Sequence, residues 1–346
     1  TNPGVILDED LNTVRGVLAL VTGMSSDFSE GYDGAAFAVA RLTDEMAGSG
    51  SYNDTGDFRR GDFRSDDSNG YWNDIQRARW VAEDGLRRMQ EIEGFPYENS
   101  ELTARAWLFA GLSNRWFGET YCEIIYDSGE AQPKSAAFNR ALPQLDEAIS
   151  HGTGAGRTDI VQAAYGAKAQ VYVGLGDWTN AVGAARIVPT DFVYTAVYSA
   201  NSGREQNEIF NETHGRYEMS AYDTWAELNG GESVRTPWTD CRESPLCSNA
   251  QGADGQTPHL RQEVYIDRGT DIVAVSGAEM RLIEAEDALR KSDLDTFHDM
   301  INEVRAHFGL GIYANPPTEV GELTGDWEGD SGWEILDRER YLTMWL

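Results

Sequence analysis

Residues 276–310 read SGAEMRLIEAEDALRKSDLDTFHDMINEVRAHFGL, and this stretch decides the fold. Its apolar residues recur at the spacing of two amphipathic helices. The two sets are Met280, Ile283, Ala288 and Leu289, then Phe297, Met300, Ile301, Val304 and Phe308. Between them, Ser292 or Asp293 can accept the free N–H groups of the second helix. Arg290 and Lys291 suit the negative end of the first helix. The stretch therefore predicts a helical hairpin, which needs neighbouring helices because it is too short to bury its own apolar faces.

Other stretches supply such neighbours. Residues 160–175 are dense in small side chains, a turn at Gly176 and Asp177 follows, and an alanine-rich segment then runs to Arg186. This layout matches that of 276–310, and helix pairs that recur at about 34 residues are typical of tetratricopeptide-like repeats. Further helical patterns occupy 11–22, 31–46, 71–91, 100–118 and 135–150. Three or four helix-pair units are therefore predicted.

The predicted fold class is mainly α, a tetratricopeptide-type repeat scaffold that carries a loop-rich insertion with minor β structure. We place the scaffold approximately at 71–188 and 273–346 and the insertion approximately at 189–272, all within a single domain of residues 1–346. Residues 48–69 are rich in Gly, Ser, Asp and Arg without periodicity and are predicted to form a long surface loop. The strand candidates in the insertion are 192–198, 208–210 and 264–266.

The charge balance excludes one class of partner. The chain has 58 acidic residues against 28 basic ones, a formal net charge of -30, so its surface repels nucleic acid.

No stretch is apolar for long enough to span a bilayer. The first residues, TNPGVILDEDLNT, are not a signal peptide, so we expect either a cytosolic protein or one from which a targeting segment has been removed.

The three cysteines and two sequons bear on the compartment. Cys241 and Cys247 lie close together in the segment CRESPLC, where a small disulfide loop would imply an oxidising compartment. Cys122 is expected to pack as a small buried hydrophobe. Asn53 and Asn211 each begin a glycosylation-type tripeptide, a pattern that also arises by chance.

No enzymatic motif is present. The sequence lacks HExxH, GxSxG and Walker patterns, and its five histidines show no metal-ligand spacing. With so many carboxylates, pairs at catalytic separation arise by chance, so a glycosidase cannot be argued from them.

Asp326, Glu328 and Asp330 alternate in a Gly-rich loop and suit Ca²⁺ in spacing, although a solvated turn is the favoured interpretation. No other cofactor is expected.

Several stretches together resemble the SusD/RagB family of outer-membrane nutrient-binding lipoproteins. They are ARAWLFAGLSNRWFGE (104–119), FNRALPQLDEAIS (138–150), AAYGAKAQVYVGLGDWTNAVGAA (163–185), RLIEAEDALRKSDLDTFHDMINEVRAHFGL (281–310) and WEILDRERYLTMWL (333–346). Their order is collinear over most of the chain. The lipid-bearing N-terminal Cys and the Glu-Gly-x-Arg continuation after the last helix are absent, and both departures fall at chain ends.

The resemblance implies a non-enzymatic, lipid-anchored protein on the outer face of the outer membrane, or one secreted to the cell surface. Such a protein caps a SusC-like TonB-dependent barrel transporter and captures a glycan or peptide for uptake. Aromatic rings suit this role because they stack on the apolar faces of sugars, while flanking polar groups bind the hydroxyls. The candidate ligand-binding residues are Tyr71, Trp72, Arg216, Tyr217, Tyr222, Asp223, Trp225 and Trp238. Core packing is the alternative for each of them. Trp80, Trp107 and Trp116 lie within helical patterns and are expected in the core.

A different class of function stays open. Helix-pair repeats are scaffolds, and an acidic repeat protein could be a structural subunit that self-associates into a surface layer or filament. Its long loops would then make the subunit contacts and carry glycans. A glycoside hydrolase ranks below both hypotheses.

Overall fold

Helices dominate residues 8–230 and 234–346, the part of the chain that the computed structural model describes. The helices are α1 (Asp8–Leu11), α2 (Val17–Leu42), α3 (Asn53–Arg60), α4 (Asn69–Glu91), α5 (Glu101–Thr120), α6 (Ser135–Gly154), α7 (Thr158–Leu175), α8 (Trp178–Ala185), α9 (Glu208–Phe210), α10 (Trp225–Leu228), α11 (Gly277–Arg290), α12 (Leu294–His307) and α13 (Gly332–Thr343). The strands are β1 (Ala47–Gly48), β2 (Glu123–Ile125), β3 (Ala131–Pro133), β4 (Val193–Ala196), β5 (Met219–Ser220), β6 (Trp238–Asp240), β7 (Leu260–Gln262) and β8 (Ile272–Ser276). They form antiparallel pairs, β1 with β5, β2 with β3, β4 with β8 and β6 with β7. The predicted fold class, mainly α with minor β structure, is confirmed.

The chain divides into two compact units. Unit 1 contains the described residues up to Tyr32 together with Trp72–Val188, and unit 2 contains Asp33–Tyr71 and Pro189–Leu346. Helices α5 to α8 therefore belong to unit 1, while α11 to α13 share unit 2 with the loop-rich segment. The single domain over 1–346 stays a prediction.

Unit 1 is built from consecutive antiparallel helices that approach closely. The side chain of Ser100 accepts a hydrogen bond from the Leu102 N–H and so caps α5. The ring of Phe138 on α6 fills the space beside two glycines, Gly118 and Gly174. A Cβ atom at Gly118 would lie 2.8 Å from that ring, and one at Gly174 would lie 2.5 Å from it. The small residues noted in the sequence thus serve helix packing.

A largely buried carboxylate, that of Glu83, joins three helices of unit 1. Glu83 on α4 accepts hydrogen bonds from Arg140 at 2.7 Å, from Gln144 at 2.8 Å and from Asn114 at 3.0 Å. Burial alone would raise the pKa of Glu83, but these donors, Arg140 foremost, outweigh it and hold the pKa below its ordinary value. The charge of Glu83 therefore persists inside the unit and aligns α4 with α5 and α6.

Unit 2 contains the hairpin predicted from 276–310. The side chain of Ser276 caps α11, and Asp293 caps α12 by accepting from the Thr296 N–H at 3.0 Å. Ser292 occupies the left-handed region at a φ of 59° and turns the chain between the two helices. The buried residues that join α11, α12 and α13 are Leu282, Ala285, Ala288, Leu289, Phe297, Ile301, Val304, Ile335 and Leu336. The hairpin prediction is confirmed.

A second buried carboxylate, that of Glu339 on α13, organises unit 2. It accepts from Arg235 at 2.8 Å and from Arg305 of α12 at 2.5 Å, and the hydroxyl of Tyr313 donates to it at 2.8 Å. Arg235 and Glu339 are both about 1% exposed. A charge in this position is tolerated only because its partners are in place.

The chain after α9 forms a π-helical turn, Asn211–Gly215. Glu212 in this turn is buried and pairs with Arg216 at 2.9 Å. Burial, together with the charge of Glu208, raises the pKa of Glu212 to about 7 despite the opposing effect of Arg216. The Glu212 carboxyl of the folded protein is therefore mostly protonated below about pH 7 and ionised above it.

Two predictions for the N-terminal part are wrong. Residues 48–69 are not loop throughout, since they contain α3 and a 3₁₀ turn at Ser65–Ser68. The two helices predicted at 11–22 and 31–46 are replaced by one continuous helix, α2. The polar residues that looked like a break are instead used in tertiary contacts, as Asp27 pairs with Arg77 of α4 at 2.9 Å.

Two of the three predicted strands in the insertion are also wrong. Residues 192–198 do contain β4, but 208–210 are helical because the side chain of Asn207 caps them by accepting from the Phe210 N–H. Residues 264–266 are not a strand, since the side chain of Gln262 binds the N–H and carbonyl of Tyr265, groups that a paired strand would need.

Replacement of Glu339 by Ala is expected to lower the free energy of unfolding by about 3–5 kcal/mol, because it leaves Arg235 buried without its carboxylate. Chemical denaturation followed by circular dichroism measures this loss. Glu322→Ala, which removes an exposed carboxylate, is the control and should change stability by no more than about 0.5 kcal/mol. A loss below about 1 kcal/mol for Glu339→Ala would show that unit 2 does not depend on this contact.

Replacement of Glu212 by Gln should change how stability depends on pH. Because the folded-state pKa of Glu212 is raised to about 7, the folded protein holds the extra proton between the ordinary carboxyl pKa and about pH 7. The wild type should therefore lose about 1–3 kcal/mol relative to Glu212→Gln as the pH rises from 5 to 8. Denaturant midpoints of both proteins over this range provide the measurement, and parallel curves would contradict the assignment.

Candidate functional site

The loop-rich part of unit 2 forms a cleft beside Trp225. Asp223 precedes α10 with a φ of 59°, and its N–H donates to Glu227 at 2.7 Å, which turns the chain into the short helix. The hydroxyl of Thr224 donates to the carbonyl of Ala221 at 2.6 Å and supports the same turn. The cleft has a volume of about 470 Å³ and is lined by Thr43, Asp44, Arg59, Asp223, Thr224, Trp225, Asp337 and Tyr341. We call it the Trp225 cleft.

An aromatic group forms one side of the Trp225 cleft. The ring of the partly exposed Trp225 lies 5.3 Å from Trp327 and 5.3 Å from Tyr341, measured between centroids. The hydroxyl of Tyr341 donates to the backbone carbonyls of Asp44 at 3.0 Å and Glu45 at 3.2 Å. Burial raises the pKa of Tyr341 to about 12, so the hydroxyl stays neutral. Hydrogen bonds thus hold Tyr341 in place, and the Trp225 ring packs against it.

Charged groups border the same cleft. Arg59 of α3 and Asp223 approach to 3.5 Å, and their side chains are 34% and 75% exposed. A long ion pair in water contributes little to stability, so both groups can rearrange to bind a ligand. Burial raises the pKa of Asp337, and Arg340 opposes this effect. The cleft thus combines an aromatic surface with a guanidinium group and carboxyl groups.

Arg216 and Tyr217 lie outside the lining of the Trp225 cleft. The guanidinium carbon of Arg216 lies 5.3 Å from the ring centroid of Tyr52, and the group is also paired with Glu212. Tyr217 has a φ of 60° and sets its ring edge-on to His259 at 5.1 Å. Both residues line no part of the cleft.

The remaining candidates pack against protein groups. Trp238 donates from its indole nitrogen to the carbonyl of Ala226 at 2.9 Å and so supports α10. The hydroxyl of Tyr71 accepts from Arg41 at 3.2 Å. Tyr222 is partly buried. Trp72, in unit 1, sets its ring edge-on to those of Phe117 and Tyr121. Of the eight candidate residues, Trp225 and Asp223 line the Trp225 cleft.

Sequence reasoning missed three important residues of this cleft. Arg59 lies in the segment interpreted as loop, and Tyr341 and Asp337 lie on the last helix, more than 100 positions after Trp225. Only tertiary folding brings them together. Helical spacing offered a partial signal, since Asp337 and Tyr341 are four residues apart and so share one face of α13.

Two residues expected in the interior are exposed. Trp80 is 52% exposed, whereas Trp107 and Trp116 are partly buried. Cys122 is a free, exposed cysteine. The buried face of α4 is formed by residues such as Ile75, Ala82 and Met89, and at 3.6 residues per turn Trp80 lies on the side of the helix roughly opposite to them.

Three further predictions concern the paired cysteines, the two glycosylation tripeptides and membrane-spanning helices. Cys241 and Cys247 form a disulfide. The side chain of Asn211 is partly buried and lies 3.4 Å from Gln206, while the side chain of Asn53 falls outside the described part of the chain. No described helix is long and apolar enough to cross a membrane.

The calcium hypothesis gains no support from the loop geometry. Asp326 accepts a hydrogen bond from the Glu328 N–H at 3.0 Å, which is the local contact of a solvated turn. Over residues 8–230 and 234–346, no group of three or more His, Cys, Asp or Glu side chains is placed to hold a metal ion. Asp330 is exposed.

Comparison with known proteins bears on the fold. No protein-family model matches the sequence, and no curated protein matches it. Solved structures do match. A laminarin binding SusD-like protein is 16% identical over 95% of this chain and 88% of its own, with a TM-score of 0.66.

Two proteins from Bacteroides vulgatus are similar in the same way. One, a SusD superfamily protein, is 14% identical over 96% of this chain and 85% of its own, with a TM-score of 0.65. The other, a SusD-like carbohydrate binding protein, is 12% identical over 95% and 79%, with a TM-score of 0.60. At these identities the likeness establishes the fold. The chain therefore has the fold of the SusD-like proteins, and the resemblance noted in the sequence is confirmed at that level.

Proposed function

We propose that this protein binds a glycan in the Trp225 cleft. The observation that carries the proposal is the partly exposed Trp225 ring beside Arg59 and Asp223, in a chain with the SusD-like fold. An indole ring offers a flat apolar face to a sugar ring, and the charged side chains supply hydrogen bonds to hydroxyl groups. No covalent chemistry is assigned to the cleft.

The chemistry of the cleft favours a glycan over a peptide. Its volume of about 470 Å³ lies within the range of roughly 300–1,000 Å³ that is usual for small-ligand sites. An extended peptide would be expected to pair with an exposed strand edge, and the cleft is lined by residues of helices and turns, not of strands. The laminarin binding and carbohydrate binding proteins that share the fold support the same choice.

The wider role is uptake of the bound glycan through a SusC-like TonB-dependent barrel transporter at the outer face of the outer membrane. Its support is the sequence resemblance to the SusD/RagB family together with the likeness of fold. The net charge of -30 is compatible with a surface exposed to an ionic medium. Co-purification from native membranes tests both the partner and the location.

Replacement of Trp225 by Ala is expected to weaken glycan binding by about tenfold or more, because it removes the stacking surface that forms one side of the cleft. Isothermal titration calorimetry against laminarin, starch and xylan fragments provides the measurement. Trp225→Phe should keep part of the affinity. Trp178→Ala, a tryptophan of unit 1 outside the cleft, should keep all of it. Equal affinities for wild type and Trp225→Ala would remove the cleft as the site.

Purified protein is expected to run as a monomer of 38.3 kDa in size-exclusion chromatography with light scattering. At a net charge of -30, copies repel one another at low ionic strength. The measurement should be repeated at high salt, where this repulsion is screened. Polymers under either condition would favour the alternative of a self-assembling structural subunit.

A further inference from the structure

Unit 1 contains a separate cavity with two tryptophans in its lining. It has a volume of about 490 Å³ and is lined by Trp72, Gln76, Arg77, Arg79, Trp80, Ile125, Asp127 and Ser128. Trp72, Gln76 and Trp80 are spaced four residues apart along α4 and so follow one face of that helix. Trp80 and Ile125 are 52% and 42% exposed, so the lining presents apolar area to solvent.

The β2–β3 hairpin closes one side of this cavity in a strained conformation. Asp127 and Ser128 have φ values of 49° and 65°, and the Gly129 N–H donates to the carbonyl of Tyr126 at 2.8 Å. A two-residue turn of this kind favours Asn, Asp or Gly at the first central position and Gly at the second, so Asp127 fits the turn and Ser128 is the unusual residue. Such outliers persist where surrounding contacts hold them and often mark functional positions.

A buried arginine holds the hairpin tip. Arg79, which is 3% exposed, donates from both terminal nitrogens to Oδ1 of Asp127, at 3.0 and 3.1 Å. Gln76 donates to the carbonyl of Ile125 at 2.5 Å, and the hydroxyl of Tyr126 donates to Asn114 at 2.8 Å. Four contacts from α4 and α5 therefore keep Asp127 and Ser128 beside the tryptophans.

These groups have the composition of a sugar-binding site. The tryptophan rings and Ile125 provide apolar area, and Asp127 and Ser128 provide hydrogen-bonding groups at its edge. Both bonds from Arg79 use Oδ1 of Asp127, and the side chain is 57% exposed, so its other oxygen can accept from a hydroxyl.

The cations at this cavity are already balanced. Arg79 pairs with Asp127 and with Glu83. Arg77 pairs with Asp27 at 2.9 Å, with Glu30 at 2.7 Å and with Asp74 at 3.1 Å. An anionic ligand would have to compete with these carboxylates, so the charges favour an uncharged ligand.

We infer that this cavity is a second glycan-binding site, which takes a neutral sugar ring on the indole of Trp80 with its hydroxyls bound by Asp127 and Ser128. The inference rests on the proposed function and adds to it the ligand class and a second site. Each chain then binds two sugar segments, one in the Trp225 cleft and one against Trp80.

Calorimetry with short fragments of the neutral glucan laminarin, and of any other neutral glycan bound by wild type, tests the inference. Wild type is expected to bind two fragments per chain. Trp80→Ala and Asp127→Asn should each remove or weaken by about tenfold one of the two binding events, while Trp225→Ala affects the other. Ile187→Ala, which shortens an equally exposed apolar side chain of unit 1 outside the cavity, is the control.

The outcomes separate the two claims. If wild type binds and Trp80→Ala binds with the same stoichiometry and affinity, the second site is overturned and the Trp225 cleft is not. In the Trp225→Ala variant, only the site beside Trp80 is expected to bind the neutral fragment. If the polyanion dextran sulfate displaces the fragment from this variant, the assignment of the site to neutral sugars is overturned. If wild type binds no glycan at all, the proposed function fails and the second site fails with it. The melting temperatures of Trp80→Ala and Ile187→Ala should match wild type, because both side chains are largely exposed. Asp127→Asn removes the charge that pairs with buried Arg79, so its binding is compared with wild type at a temperature at which circular dichroism shows it to be folded.

Discussion

The pairing of Glu339 with Arg235 and Arg305 is the contact on which unit 2 depends. A carboxylate withdrawn from water is costly unless its donors are in place, so this charge is compatible with one arrangement of its surroundings. The three residues come from α13, from the loop-rich segment and from α12. Apolar packing alone would allow these elements to slide, whereas the ion pairs set their register. The segment that carries the Trp225 cleft is therefore attached to the helical hairpin by charge as well as by packing.

This attachment explains how a cleft with half of its lining residues in turns can have a defined shape. Tyr341 lies two residues beyond Glu339 on α13, and its hydroxyl binds the carbonyls of Asp44 and Glu45. The ion pairs that orient α13 thus also orient the ring against which Trp225 packs. A binding site on loops is more exact when rigid elements hold its side chains. Here one short helix links the buried charges to the aromatic side of the cleft.

Sequence periodicity identified the elements whose structure is local. The hairpin at 276–310 and its caps at Ser276 and Asp293 follow from apolar spacing and from side chains that bind nearby N–H groups. It failed where distant contacts override local signals. The polar residues inside α2 resemble a turn, but Asp27 is used in an ion pair with Arg77 of α4. Trp80 lies on the side of α4 away from its buried residues and is exposed there. Two of the eight predicted ligand-binding residues, Asp223 and Trp225, line the Trp225 cleft. Arg59, Asp337 and Tyr341 also line it, but they belong to distant segments that no sequence pattern connects with Trp225.

The residues that carry the family resemblance are engaged in structural contacts. In the Asn-x-Val-Arg helix, Asn302 binds the backbone of Tyr313 and Arg305 binds Glu339. Arg340, from the Glu-Arg segment near the C-terminus, pairs with Glu286 of α11 at 2.5 Å. These side chains hold helices together and do not line the Trp225 cleft or the unit 1 cavity beside Trp80. Of the stretches that resemble the family, 333–346 contributes Asp337 and Tyr341 to the Trp225 cleft, whereas Arg59, Asp223 and Trp225 lie outside those stretches. Trp225 and Trp80, with Arg59 and Asp127 beside them, also lie outside the stretches that carry the resemblance, so the ligand preference depends on side chains that the resemblance does not include.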